Sequence, residues 1–206
     1  MVLFIFGGAE YNVGKFNLGA LFMSKLTVFM ADGMEEVECL AVVDIARRAG
    51  ITADLVSTTG RLEVVSSHGV HILADHLFEE ADFEDSDALF LPGGIPGANN
   101  LAAHEGVCAL VRRFAEEGRH VAAICAAPSV LGGLGLLDGR TATCHPGWEA
   151  KLGGAVYTRQ GVVTDGNITT GRGLGFAIDL GLELVRLMQG AEQADDLRRR
   201  IQYPGC

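Results

Sequence analysis

A chain of 206 residues, 49% of them hydrophobic, is long enough to bury a substantial core and short for two domains, so a single domain is expected. Its formal charge of −10 argues against a partner such as nucleic acid or an anionic membrane, which would call for Lys and Arg concentrated on one face. The five cysteines (Cys39, Cys108, Cys125, Cys144 and Cys206) are odd in number and form no C-x-x-C pair, which argues against a disulfide framework or a zinc ribbon and fits a reducing, cytoplasmic setting.

In chain order, "MVLFIFGGAEYNVGKFNLGALF" opens apolar, but Gly7, Gly8, Glu10 and Asn12 interrupt the run well short of a membrane helix, and no basic segment precedes it. Met23 then begins "MSKLTVFMADG", polar residues followed by a strand pattern. The expectation is that Met23 is the native initiator, that residues 1–22 are an extension with little role in the fold, and that the domain covers residues 23–206. Residues 26–30 read as a strand and 35–49 as a helix, with Asp32-x-x-Glu35 as its capping box, arginines in its last turn and Gly50 as its stop. Glu35 and Glu36 read as solvated complements to the helix dipole. Glu38 differs, because Val42 and Ile45 on its face are apolar; that predicts a partly buried carboxylate whose raised pKa suits proton transfer.

Residues 52–57 continue as a strand, and 62–65 with 70–73 as a hairpin-like excursion. Residues 88–91 form a buried strand ending in "LPGG", whose bare glycine N–H groups suit a developing oxyanion. A helix over 107–117, a strand over 121–124 and a helix over 129–134 come next. Short strands follow near 141–144, 162–164 and 168–170, then a long helix over 175–188 and a charged one over 191–201. Strands alternating with helices imply an α/β fold with a mainly parallel sheet covered on both faces, and in such sheets sites form at the carboxyl ends of the strands.

"HVAAICAAPSVL" puts Cys125 at one of those ends, between an apolar strand and a helix led by Pro128. Unpaired N–H groups and the partial positive charge of a helix start favour a thiolate there, so a low pKa is expected for this sulfur. The flanking alanines leave room for a reactant. "TCHPGWE" supplies His145, a natural partner for a thiol. "GRGLG" has the wrong glycine spacing for a dinucleotide loop, and His68 and His71 point to opposite faces of a strand, so neither a nucleotide cofactor nor a metal site is expected.

"ADGMEEVE", "LPGG", "AAICAAP" and "CHPG" stand in the order and approximate spacing of the DJ-one/ThiJ/PfpI superfamily, in the branch of the parkinsonism-associated deglycase and its bacterial relatives. The chain resembles that branch from about residue 26 to 190, including "RRAGI", "GANNL" and "GRGLGFAIDLGLELV". The resemblance implies a flavodoxin-like three-layer sandwich and a homodimer formed partly by the first helix, with Arg48 near the two-fold. It also implies a nucleophilic, oxidisable Cys125, a protonated Glu38 beside it, a nearby His145, and backbone donors at Gly94 and Ala126. The implied activity is a cofactor-free glyoxalase or deglycase acting on methylglyoxal-type α-oxoaldehydes or their early adducts. Two alternatives are a redox-sensing, chaperone-like stress protein and a cysteine amidase or peptidase. Ala126 stands where the peptidase-like and heat-shock branches resemble one another in having histidine, and Leu174 where relatives have proline.

Overall fold

The computed structural model describes residues 24–204; the expected extension over residues 1–22, the start at Met23, and Cys206 lie outside the described residues. In chain order the elements are β1 (Lys25–Met30), α1 (Glu36–Arg48), β2 (Thr52–Ser57), β3 (Glu63–Val65), β4 (His71–Leu73), β5 (His76–Leu77) and β6 (Ala88–Leu91). They continue with α2 (Gly97–Ala103), α3 (Glu105–Glu116), β7 (His120–Ile124), α4 (Pro128–Gly133), β8 (Thr141–Ala142), β9 (Val156–Tyr157), β10 (Val162–Asp165), β11 (Ile168–Gly171), α5 (Ala177–Gln189) and α6 (Ala191–Arg200).

The main sheet runs β10-β11-β7-β6-β1-β2-β5, parallel throughout except for β10 against β11. Its central strands are buried on both faces, which is why they read as unbroken apolar runs. Side chains alternate between two cores. Leu26, Val28 and Met30 of β1, Phe90 of β6 and Ile124 of β7 join α1, α5 and α6, while Phe29, Leu89, Leu91, Val121 and Ala123 join α2, α3 and α4. This is the flavodoxin-like α/β sandwich. β3 and β4 form a separate antiparallel pair.

Several local expectations change. Asp32 does not cap α1: its carboxylate accepts from the Val65 N–H (2.9 Å) and from Arg61 (2.7 Å), bracing the β3–β4 hairpin. The N-cap is Glu35, whose Oε2 accepts from the Glu38 N–H at 2.6 Å. Glu35 is therefore not a solvated charge; it is 8% exposed. α3 begins two residues earlier than its apolar period suggests, because the His104 ring accepts from the Val107 N–H at 3.1 Å. α2, β5 and β9 are too short and too weakly patterned to show in the sequence.

Candidate active site

The parallel strands place three carboxyl ends side by side. β7 ends at Ile124 and α4 starts at Pro128, so Cys125 sits on the corner between them. Its backbone is left-handed, with φ of 62°. Such a conformation costs a non-glycine residue roughly 1–2 kcal/mol. The surroundings hold it there: the Cys125 N–H donates to the Gly171 carbonyl of β11 (2.9 Å), and the Cys125 carbonyl accepts from the His145 N–H (2.8 Å). The sulfur lies at the crevice rather than in the sheet.

Glu38 reaches the same point from the first turn of α1, and Val42 and Ile45 along its face are buried, as the sequence pattern requires. Glu38 as a whole is 1% exposed. Its Oε2 accepts from the Gly93 N–H at 3.1 Å, and it is hydrogen-bonded to the Cys125 thiol. Burial, helped by the negative charge of Glu35, pushes Glu38 up to about 7, against the opposing hydrogen bonds of Cys125 and Gly93. Glu38 thus keeps its proton up to about pH 7, where an ordinary glutamate is already ionised.

The low-pKa expectation for Cys125 does not hold as it stood. Burial first, then the charge and hydrogen bond of an ionised Glu38, push the thiol up to about 12, while N–H groups of Gly94 and Ala126 at the sulfur pull the other way. The helix start that suggested a low value belongs to a six-residue helix, and the contact with Glu38 outweighs it. The two groups therefore titrate as a pair. With one proton between them, either the carboxylate faces a thiol or the carboxylic acid donates to a thiolate that also receives two N–H groups.

Gly93 makes this contact possible. A Cβ there would lie 2.5 Å from both Cys125 Cβ and Glu38 Oε2, so only glycine lets the strand end, the carboxyl and the sulfur meet. The β6–α2 turn also rests on α1, through the Glu35 N–H to the Gly93 carbonyl at 3.0 Å. His145 is exposed, past β8 rather than at its end, with its Nδ1–H donating to the Pro146 carbonyl at 2.9 Å. The bare Cα of Gly173 separates this ring from Glu38: a Cβ there would meet His145 Cδ2 at 3.7 Å and Glu38 Oε1 at 4.0 Å. The structure thus gathers Cys125, Glu38, Gly94, Ala126 and His145, all named from sequence, at one crevice.

Residues 24–187 match the model of the DJ-1/PfpI family. The chain belongs to the DJ-1/PfpI family. It is 36% identical over 177 residues to a Parkinson disease protein 7 homolog from Danio rerio, covering 83% of this chain and 93% of that one. Protein DJ-1 homolog B of Arabidopsis thaliana is 33% identical over 196 residues; the match takes in 93% of this chain and 45% of that longer protein. Among solved structures, a mutant DJ-1 superfamily protein from Salmonella typhimurium superposes with a TM-score of 0.84 at 36% identity, covering 88% of this chain and 100% of that one. Oxidized Toxoplasma gondii DJ-1 gives 0.84 at 30% identity, covering 88% and 99%.

Two residues of this DJ-1/PfpI site were read in the sequence with other roles. Gly93 was read with Gly94 as a backbone donor, with nothing local to separate the two, and Glu35 as a solvated complement to the helix dipole, whereas its N–H meets the Gly93 carbonyl in the turn after β6. Arg48 lies away from the crevice, exposed and paired to Asp44 at 2.6 Å, on a groove of about 660 Å³ between α1, the start of α5 and the C-terminal segment. His68 and His71 face separate carboxylates, Glu36 and Glu63. No described helix is long and apolar enough to cross a membrane.

Proposed function

We propose that this DJ-1/PfpI protein is a cofactor-free enzyme of the glyoxalase or deglycase type, converting methylglyoxal-like α-oxoaldehydes, or their early adducts with thiols and amines, to hydroxy acids. The observation that carries this reading is a buried, proton-holding Glu38 hydrogen-bonded to a sulfur that also faces two backbone N–H groups. In the reactive arrangement the proton sits on Glu38 and the thiolate of Cys125 attacks the aldehyde carbon. As the C–S bond forms, charge moves from sulfur to the former carbonyl oxygen, where the Gly94 and Ala126 N–H groups suit an oxyanion. Glu38 passes its proton to that oxygen. The resulting carboxylate then takes the hydrogen of the same carbon as a proton and returns a proton to the neighbouring one, through an enediol in which the hydroxyl proton passes from the first oxygen to the second. The product of this internal redox shift is a thioester on Cys125; water attacks it and releases the hydroxy acid and the thiol. In this reading His145, across Gly173, assists the proton transfers.

Proton NMR of the protein with methylglyoxal in deuterated buffer without glutathione tests the reading. Lactate from the wild type, carrying deuterium at its second carbon and absent with Cys125→Ser, is the expected result. No lactate from the wild type, or undiminished lactate from the variant, rejects it.

A second reading, redox sensing, is favoured by the same contact, since a protonated Glu38 would donate to a sulfinate on Cys125. It requires Cys125 to oxidise before Cys108 at low peroxide; the reverse order removes it. The amidase or peptidase reading draws no comparable support, with Ala126 after the sulfur. For the assembly, we infer a cytoplasmic homodimer packed partly through α1 near Arg48, which sedimentation as a monomer at micromolar concentration would contradict.

A further inference from the structure

Three hydrogen bonds close a ring around the base of the site. The Glu35 N–H donates to the Gly93 carbonyl (3.0 Å), the Gly93 N–H donates to Glu38 Oε2 (3.1 Å), and the Glu38 N–H donates to Glu35 Oε2 (2.6 Å). Glu35 thus fixes both the backbone that carries Glu38 and the glycine that holds its carboxyl. A serine or asparagine would satisfy a helix start equally well, and a largely buried carboxylate is an expensive choice for the task. What the carboxylate adds is charge. Placed one helical turn from Glu38, it repels a second negative charge there and so favours the protonated carboxyl, the form that donates to Cys125. The same field raises the buried Cys39 thiol, after burial itself.

We propose that Glu35 is a positioning residue of the site, fixing Glu38 through this ring and, by its negative charge, keeping on Glu38 the proton that Cys125 uses. The proposal rests on Glu38 and Cys125 being the reacting pair. The titratable groups facing Glu38 are Cys125 from the β7–α4 corner, His145 across Gly173, and Glu35 and Cys39 from its own helix. Those facing Glu35 on its outer side are Glu36 and the exposed His68, whose Nδ1 lies 4.0 Å from Glu35 Oε1.

The test is the pH dependence of Cys125 alkylation by iodoacetamide, read by mass spectrometry on the full chain, with thermal unfolding recorded in parallel. Glu35→Gln and Glu35→Ser keep an acceptor for the helix start but remove the charge. Both should move the lower limb of the profile towards acid, by on the order of one pH unit, because the first proton of the pair is then lost more easily. Glu35→Asp keeps the charge and should hold the wild-type midpoint. A His68→Gln control should leave the ordering of these midpoints intact. Midpoints unchanged in the Gln and Ser variants, with only the unfolding temperature lowered, would show a plain helix cap and overturn the proposal, as would an equal acid shift in Glu35→Asp. Alkylation needs no turnover of an oxoaldehyde. A wild type that alkylates with the expected shifts but forms no lactate would therefore reject the enzyme reading and leave this one standing.

Discussion

Cys125 and Cys108 are both partly buried, and burial raises both thiols, yet they face opposite kinds of neighbour. The Cys108 sulfur looks onto the carbonyl oxygens of Leu101 (3.8 Å) and Ala102 (3.4 Å), acceptors that hold an S–H and repel a thiolate; the charge of Arg112 acts in the opposite direction. The Cys125 sulfur looks onto the N–H groups of Gly94 and Ala126 and onto a carboxyl that can give it a proton or take one. Exposure alone does not separate these cysteines. The chemistry of what each sulfur meets does, and the left-handed backbone at residue 125 is what turns its sulfur towards donors.

The largest expected effect tests that contrast directly. Cys125→Ser should lower lactate formation by ~10³-fold or more, as loss of a nucleophile does, whereas Cys108→Ser should leave it within about twofold of wild type. Equal losses in the two variants would dissolve the comparison. Next, Gly93→Ala pushes a methyl between Glu38 and the sulfur. It should cost about 10² in rate through misplacement and about 1–3 kcal/mol in stability through overpacking. A variant that kept its rate would mean that the Glu38–Cys125 contact is not needed.

A smaller effect concerns stability alone. Glu38 titrates near 4.5 when unfolded and near 7 when folded, so between those values the native protein binds the extra proton. Its contribution is fully present below about pH 4.5 and is lost as pH rises through 7. The difference amounts to roughly 3 kcal/mol at most. Relative to wild type, Glu38→Gln should therefore gain stability as pH is raised from 4.5 to 8, by denaturant unfolding at each pH. A constant difference would show that Glu38 is not held protonated by burial.

Much of this molecule is legible in its sequence. Residues 88–91 were bounded correctly because a strand buried on both faces is an unbroken apolar run, residues 52–57 because Gly50 before them and the Thr-Thr-Gly turn after them punctuate the chain, and Gly50 ended α1 where its backbone turns left-handed. Burial of Glu38 followed from Val42 and Ile45, since positions one and two turns along a helix share a face. The corner at Cys125 was marked by a strand that stops and a proline that opens a helix.

What the sequence determined by itself, then, was the alternation of strands and helices, the family, and which sulfur and which carboxyl stand at the carboxyl edge of the sheet. These are local or periodic properties of the chain. Tertiary structure alone decided that Asp32 braces a hairpin while Glu35 caps the helix, that Gly93 is the glycine admitting both Glu38 and Cys125, and that the sulfur's pKa is raised rather than lowered. Each of those outcomes depends on groups brought together from distant parts of the chain. The energies of burial and of like charges are set by separations in space, which no spacing along the sequence encodes.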